Sequence, residues 1–362
     1  MTDVPAFTPV NLLTGFLGSG KTTLLRRLLA DPALAGTAVL INEFGEVGLD
    51  HHLLDRIDDT MVLLQSGCLC CTIRGELSQA IRDLLGKRER GLVPGFDRIV
   101  VESTGLADPF PILSTLKADP VLRHHVRPGN VVTTVDAVNG LGQIERHPES
   151  ARQAAVADRL VITKTDIADE AAVADLTAGL RRLNPAAPLV DAADDLDVEA
   201  LIGRDVAATS GPSHSARAWF SETFRSDDPT RAPAGDAHPH GALDRNSHLG
   251  RIRSFTVVVD EPIDWTAFGI WLSMLLNRHG ERVLRVKGIL SIAGEVAPVA
   301  IHGVQHLVHT PVHMSGWPSD DRRSRIVFIV DGLDPDLIRR SLAAFNGLAA
   351  PARTLQPAGD GG

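Results

Sequence analysis

The segment GFLGSGKT, residues 15–22, follows an apolar run at residues 10–13 and leads into the helix-forming stretch TLLRRLLA. A G-x-x-x-x-G-K-T pattern between strand and helix restricts the fold more than any other feature of the chain, because its chemistry works only in that setting. Gly15, Gly18 and Gly20 let backbone N–H groups turn inward around an anion, and the helix N-terminus adds partial positive charge. Lys21 is placed to reach terminal phosphates, and the Thr22 hydroxyl to ligate Mg²⁺. Ser19 and Thr23 complete the candidate phosphate-binding set. The rival reading is a flexible glycine turn, which the flanking strand and helix disfavour.

Short apolar runs recur at residues 38–41, 61–64, 98–101, 131–135 and 160–163, separated by stretches with helical patterning. This spacing predicts strands joined by crossover helices in a mainly parallel sheet. Ile73, Leu77, Ile81, Leu84 and Leu85 form one apolar helical face. The fold class expected is α/β: a P-loop NTPase domain with a mainly parallel sheet flanked by helices, over residues 1–210, plus a smaller C-terminal α+β domain over 251–350. Between them, residues 211–250 are rich in Gly, Pro, Ser, Asp and His and read as a flexible linker; residues 351–362 read as a disordered tail.

Two further motifs directly follow apolar runs. In TKTD, residues 163–166, Asp166 could accept hydrogen bonds from the ring imino N–H and exocyclic amine of guanine. Adenine offers neither donor in that geometry, so GTP is expected over ATP. Thr163 and Lys164 share this base-binding assignment; Thr163 stands where many GTPases carry Asn, which predicts a weaker loop contact. In ESTG, residues 102–105, Glu102 could hold a magnesium-bound water and Gly105 could present its N–H to a γ-phosphate. Alone, each motif is equally a polar strand end followed by a turn.

The three cysteines, Cys68, Cys70 and Cys71, lie within four positions of a chain of 362 residues. They cannot staple distant segments. Thiolates favour Zn²⁺ and other late transition metals, and three of them leave a tetrahedral site one ligand short, which suits a metal that must leave again. A structural cluster or a thiol redox switch are the alternatives. Ligands of open parallel sheets bind beyond the carboxyl ends of the strands, so the cysteines are expected beside the nucleotide. The net charge of −9 argues against general affinity for nucleic acid. No apolar run reaches bilayer length, and residues 1–9 lack the pattern of a signal peptide, so a cytoplasmic location is expected.

LLTGFLGSGKTTLL, NEFGEVGLD, GCLCCTIR, VESTGLADP, VDA and TKTD, in this order, resemble the motifs of the CobW-type P-loop GTPases; RVLRVKGIL and VQHL extend the likeness into the second domain. The resemblance implies slow GTP hydrolysis with Mg²⁺, coupled to binding of Zn²⁺ or Co²⁺ at Cys68, Cys70 and Cys71 and delivery to a client apo-metalloprotein. It implies that residues 42–50 act as a switch loop, with Glu43 a catalytic candidate beside Lys21, Thr22, Glu102 and Gly105. Some members carry an extra Glu where this chain has Ile41, so the non-cysteine ligand is left open. His214, His238, His240 and His248 thinly populate the linker, and His302, His306, His309 and His313 read as structural or client-facing. A homo-oligomer is compatible with the sequence. The competing functions are a nucleotide-gated interaction protein with structural zinc, and a P-loop kinase acting on a small molecule.

Overall fold

Residues 7–43, 61–65, 73–203 and 251–349 are described by the structure, a computed structural model. The three cysteines, the linker histidines and most of the expected switch loop lie outside them.

The chain opens with β1 (Thr8–Gly15), α1 (Lys21–Leu29) and β2 (Thr37–Glu43), followed by β3 (Met61–Gln65), α2 (Ile73–Glu89) and β4 (Arg98–Glu102). Then come α3 (Pro109–Ala118), β5 (Val126–Asp136), α4 (Gly140–Arg146), α5 (Pro148–Val156), β6 (Arg159–Thr163), α6 (Glu170–Leu183) and β7 (Leu189–Asp191). Among the described residues these strands form one sheet in the order β3-β2-β4-β1-β5-β6-β7. Every pairing is parallel. The six expected strands are present; β7, at three residues, is an addition too short to stand out by pattern.

Both faces of the sheet are covered, which is why its strands read as unbroken apolar runs rather than alternating ones. Leu12 and Leu40 turn to a core built with Leu77, Ile81, Leu84 and Leu85 of α2 and the apolar sides of α3 to α6. Their chain neighbours Leu13, Val39 and Ile41 turn the other way, to Leu24, Leu25 and Leu28 of α1 and to Leu201 and Ile202. The α2 periodicity read from sequence is thus a core-facing stripe.

The second domain comprises β8 (Ile252–Val259), α7 (Trp265–His279), β9 (Val283–Leu290), β10 (Val299–Val304), β11 (Leu307–Val308), β12 (Val312–His313), β13 (Ser324–Asp331) and α8 (Pro335–Ala349). Its sheet is antiparallel, ordered β11-β10-β9-β13-β8 with β12 beside β10. One face packs Val286, Phe328 and Val330 against Trp271 and Leu275 of α7 and Ile338 and Leu342 of α8. The opposite face lies against the first domain: Leu284, Val304 and Ile329 join the core of the helical layer. Arg285, buried there, forms an ion pair with Asp158 and donates to the carbonyl of Val156.

Candidate functional site

The glycines of the phosphate loop hold the conformations that the sequence requires of them. Gly18 (φ 72°) and Gly20 (φ 86°) are left-handed, and Gly20 is the N-cap of α1. At Gly15, a Cβ would stand 2.3 Å from Thr134 Oγ1 and 2.7 Å from Ser19 Oγ. The loop is therefore pressed against β5, where Ser19 Oγ and Thr134 Oγ1 hydrogen-bond at 2.6 Å.

Lys21 Nζ donates to the carbonyls of Gly15 at 3.0 Å and Phe16 at 3.1 Å, spanning the loop mouth. Burial lowers the pKa of this ammonium, against the opposing pull of Glu102. Thr22 Oγ1 donates to Glu102 Oε1 at 2.7 Å, joining the start of α1 to the end of β4. Thr23, next along, is exposed. A hydroxyl and a buried carboxylate beside a phosphate loop form a hard oxygen donor set, and these residues fit a magnesium ion.

The ESTG segment is locked onto the same loop. Ser103 N donates to Leu13 O at 2.9 Å and Ser103 Oγ to Thr14 Oγ1 at 2.8 Å. A Cβ on Gly105 would meet Leu17 N at 2.6 Å, so only glycine lets the two backbones approach this closely.

TKTD reaches the loop from the other side. Thr163 Oγ1 donates to Ser19 O at 2.9 Å, so a hydroxyl supplies the loop contact that the sequence reading expected to be weak. Lys164 takes a positive φ of 60° and pairs with Asp136 Oδ2 at 2.7 Å. Burial acts to raise the Asp136 pKa, but hydrogen bonds from Lys164, Asn139 and Val138 and the charge of Lys164 hold it below the usual carboxylate range. Asp166 is exposed at the same edge.

Gly15, Gly18, Ser19, Gly20, Lys21, Thr22, Thr23, Glu102, Gly105, Thr163, Lys164 and Asp166 thus gather at the carboxyl edge of β1, β4 and β6. Glu43 is the last residue of β2 and pairs in register with Gln65, the last of β3. Cys68 follows Gln65 by three residues, and Cys68, Cys70 and Cys71 lie outside the described residues. Sequence reasoning gave no role to Thr134, Asp136 or Gln153. The VDA motif contains Asp136, whereas nothing in the sequence marks Gln153, a polar side chain buried in α5. His302 and His309 prove to be neighbours, their rings 3.7 Å apart. Both pKa values are lowered by burial and by surrounding cations, that of His309 to about 4.

The two domains match two family models. Residues 9–191 fit the CobW/HypB/UreG nucleotide-binding domain, and residues 252–346 fit the cobalamin synthesis protein cobW C-terminal domain. The chain is 35% identical over 340 residues to zinc chaperone YjiA of Escherichia coli, covering 94% of this chain and 98% of that protein. It is 30% identical over 361 residues to zinc chaperone CobW of Pseudomonas aeruginosa, covering 92% and 90%. The crystal structure of Zn(II)-bound YjiA GTPase from E. coli superposes with a TM-score of 0.66 at 29% identity, over 94% of this chain and 99% of that one. With the family's nucleotide-binding and C-terminal domains both present and in order, the chain belongs to the CobW/HypB/UreG family.

Proposed function

We propose that this protein is a GTP-hydrolysing metallochaperone that carries Zn²⁺, or Co²⁺, on Cys68, Cys70 and Cys71 and passes it to a client apo-metalloprotein. The observation that carries the reading is the pairing of Glu43 with Gln65. It brings the carboxyl ends of β2 and β3, the residues that precede the expected switch loop and the cysteines in the chain, side by side on the edge where the phosphate loop stands. In the order β3-β2-β4-β1, the exit of β3 lies three strand spacings, about 14 Å, from that of β1. The names of the similar proteins, zinc chaperones and a GTPase, support the same assignment.

The chemistry follows from the residues. The N–H groups of residues 15–22 wrap the phosphates, and Lys21 leaves the carbonyls of Gly15 and Phe16 for the stronger attraction of the terminal phosphates. Thr22, with Glu102 acting through a water, would hold Mg²⁺, which supplies compensation for charge on the β- and γ-phosphates. Gly105 offers its N–H to the γ-phosphate, Asp166 reads guanine, and Thr163 ties the base-reading loop to the phosphate loop. Glu43, at the head of residues 42–50, is placed to respond when the γ-phosphate departs. Loss of that phosphate releases the switch loop and loosens the grip on the cargo metal.

Zn²⁺ titration of the protein in a GTP-analogue state and in a GDP state tests the coupling. The GTP state is expected to bind more tightly; equal affinities would sink it. Metal analysis and transfer to candidate apo-metalloenzymes then test delivery and distinguish Zn²⁺ from Co²⁺.

A further inference from the structure

Gln153 lies in α5, outside every sequence motif, and its side chain is fully buried. Its Nε2 donates to the carbonyl of Gly105 at 3.1 Å and to that of Ala107 at 3.0 Å. The opposite orientation would set an amide oxygen against two carbonyl oxygens, so the nitrogen must face them. Its Oε1 has no hydrogen-bond partner among the described residues. The amide nitrogen of this buried side chain is thus committed to one loop, the segment 105–107 beside the phosphate loop.

The helix behind it is held on several sides. Thr133 Oγ1 donates to the carbonyl of Gln153 at 2.9 Å, and Asn184 Nδ2 to those of Ala154, Ala155 and Ala157 at 2.9 to 3.1 Å. Arg285 of the second domain bonds the carbonyl of Val156. Arg152 lies 3.5 Å from Asp108, in the same loop as Ala107, and 3.4 Å from Asp331 of the second domain. At the other end of α5, His147 stacks on Phe16 of the phosphate loop with centroids 4.6 Å apart.

We propose that Gln153 is a positioning residue for GTP hydrolysis: its amide fixes residues 105–107 so that the Gly105 N–H meets the γ-phosphate, using a helix anchored on the second domain. This rests on the GTP-hydrolysing reading above. Gln153 touches no substrate and acts through Gly105. Its loss should therefore affect the state that contains a γ-phosphate and spare the one that lacks it.

The test compares the full chain with its Gln153→Met and Gln153→Glu variants, measuring steady-state GTP hydrolysis with Mg²⁺ and the binding of a fluorescent GDP. Gln153→Met, similar in volume but without a donor, should lower kcat about tenfold while leaving GDP affinity within about twofold. Gln153→Glu should gain activity as the pH falls from about 8 to about 6, because a protonated buried carboxyl can donate to a carbonyl and an ionised one repels it. The unmodified chain should not gain activity in that direction. An unchanged kcat in Gln153→Met, a parallel loss of GDP affinity, or a Gln153→Glu profile matching the unmodified chain would each overturn the proposal. Should Gln153→Met not fold, the Gln153→Glu profile decides. Absence of GTP hydrolysis by the unmodified chain would remove the parent reading, and this one with it, before any variant is compared.

Discussion

Gly105 and Thr163 show how much of the site depends on single atoms. Gly105→Ala would place a methyl group 2.6 Å from Leu17 N and 2.8 Å from Leu17 Cα, both backbone atoms, so the loops must separate. GTP turnover should fall about tenfold or more, with the fold retained by circular dichroism. Thr163→Val keeps the shape but removes the donor to Ser19 O, leaving a buried carbonyl unsatisfied. It should cost about 1–2 kcal/mol of stability or nucleotide affinity, read by denaturant unfolding and by GDP titration. Glu102→Gln retains an acceptor for Thr22 but loses the charge. Magnesium-dependent GTP hydrolysis should drop about 10- to 100-fold while GDP binding without Mg²⁺ persists. Neither Gly105 nor Thr163 advertised its constraint: a glycine after a strand reads as a turn until the loop facing it is known, and the Thr163 hydroxyl has no visible partner until Ser19 is brought to it.

At the scale of elements, α5 takes its role from contacts that no sequence motif marks. Its buried alanines, Ala151, Ala154 and Ala155, allow close packing, and its C-terminal carbonyls are gathered by one side chain, Asn184. Asn184→Ala should destabilise the protein by about 1–3 kcal/mol, measured as a shift in denaturation midpoint at unchanged slope. Asn184 ends α6 and looks from sequence like an ordinary C-cap, because its partners lie 27 to 30 residues away. Strands β1, β2, β4, β5 and β6 were legible because burial on two faces makes them continuously apolar. The three residues of β7 carry no such signal.

For the whole molecule, the contact between domains decides the electrostatics. Arg285, Lys287 and Arg325 are almost fully buried on the face of the second sheet that meets the first domain, with Asp158 paired to Arg285. Arg285→Ala would leave Asp158 buried and without this partner, and should cost about 3–5 kcal/mol. Arg285→Met, which fills the space, should cost less. His302 and His309 stand among these charges: Asp158, Arg285 and Lys287 act on His302, and Lys117, Asp158, Arg285 and Arg127 on His309. The folded-state pKa of His309, about 4, lies below the ordinary value, so the unfolded chain binds more protons between about pH 6.5 and 4. Stability should therefore be lost as the pH is lowered through that window, on the order of 2 kcal/mol after discounting for partial exposure. Denaturant titrations at either end of it measure the loss. His309→Phe, which cannot take up the proton, should flatten the dependence.

The sequence by itself determined the doubly covered parallel sheet, the antiparallel second domain and the gathering of the phosphate loop, ESTG and TKTD at one edge. Local pattern carries these: apolar runs specify strands, their spacing specifies crossovers, and parallel topology sends every strand end the same way. Only the tertiary structure decided what faces what across long separations. Arg285-Val286-Lys287 reads polar, apolar, polar, as a strand with one wet face would, yet Arg285 and Lys287 are dry because the first domain covers them. Gln153 likewise acquires its partners 46 and 48 residues away. A side chain's neighbours along the chain report its helix or strand, but its solvent and its hydrogen-bond partners are set by distant segments that arrive only when the fold closes.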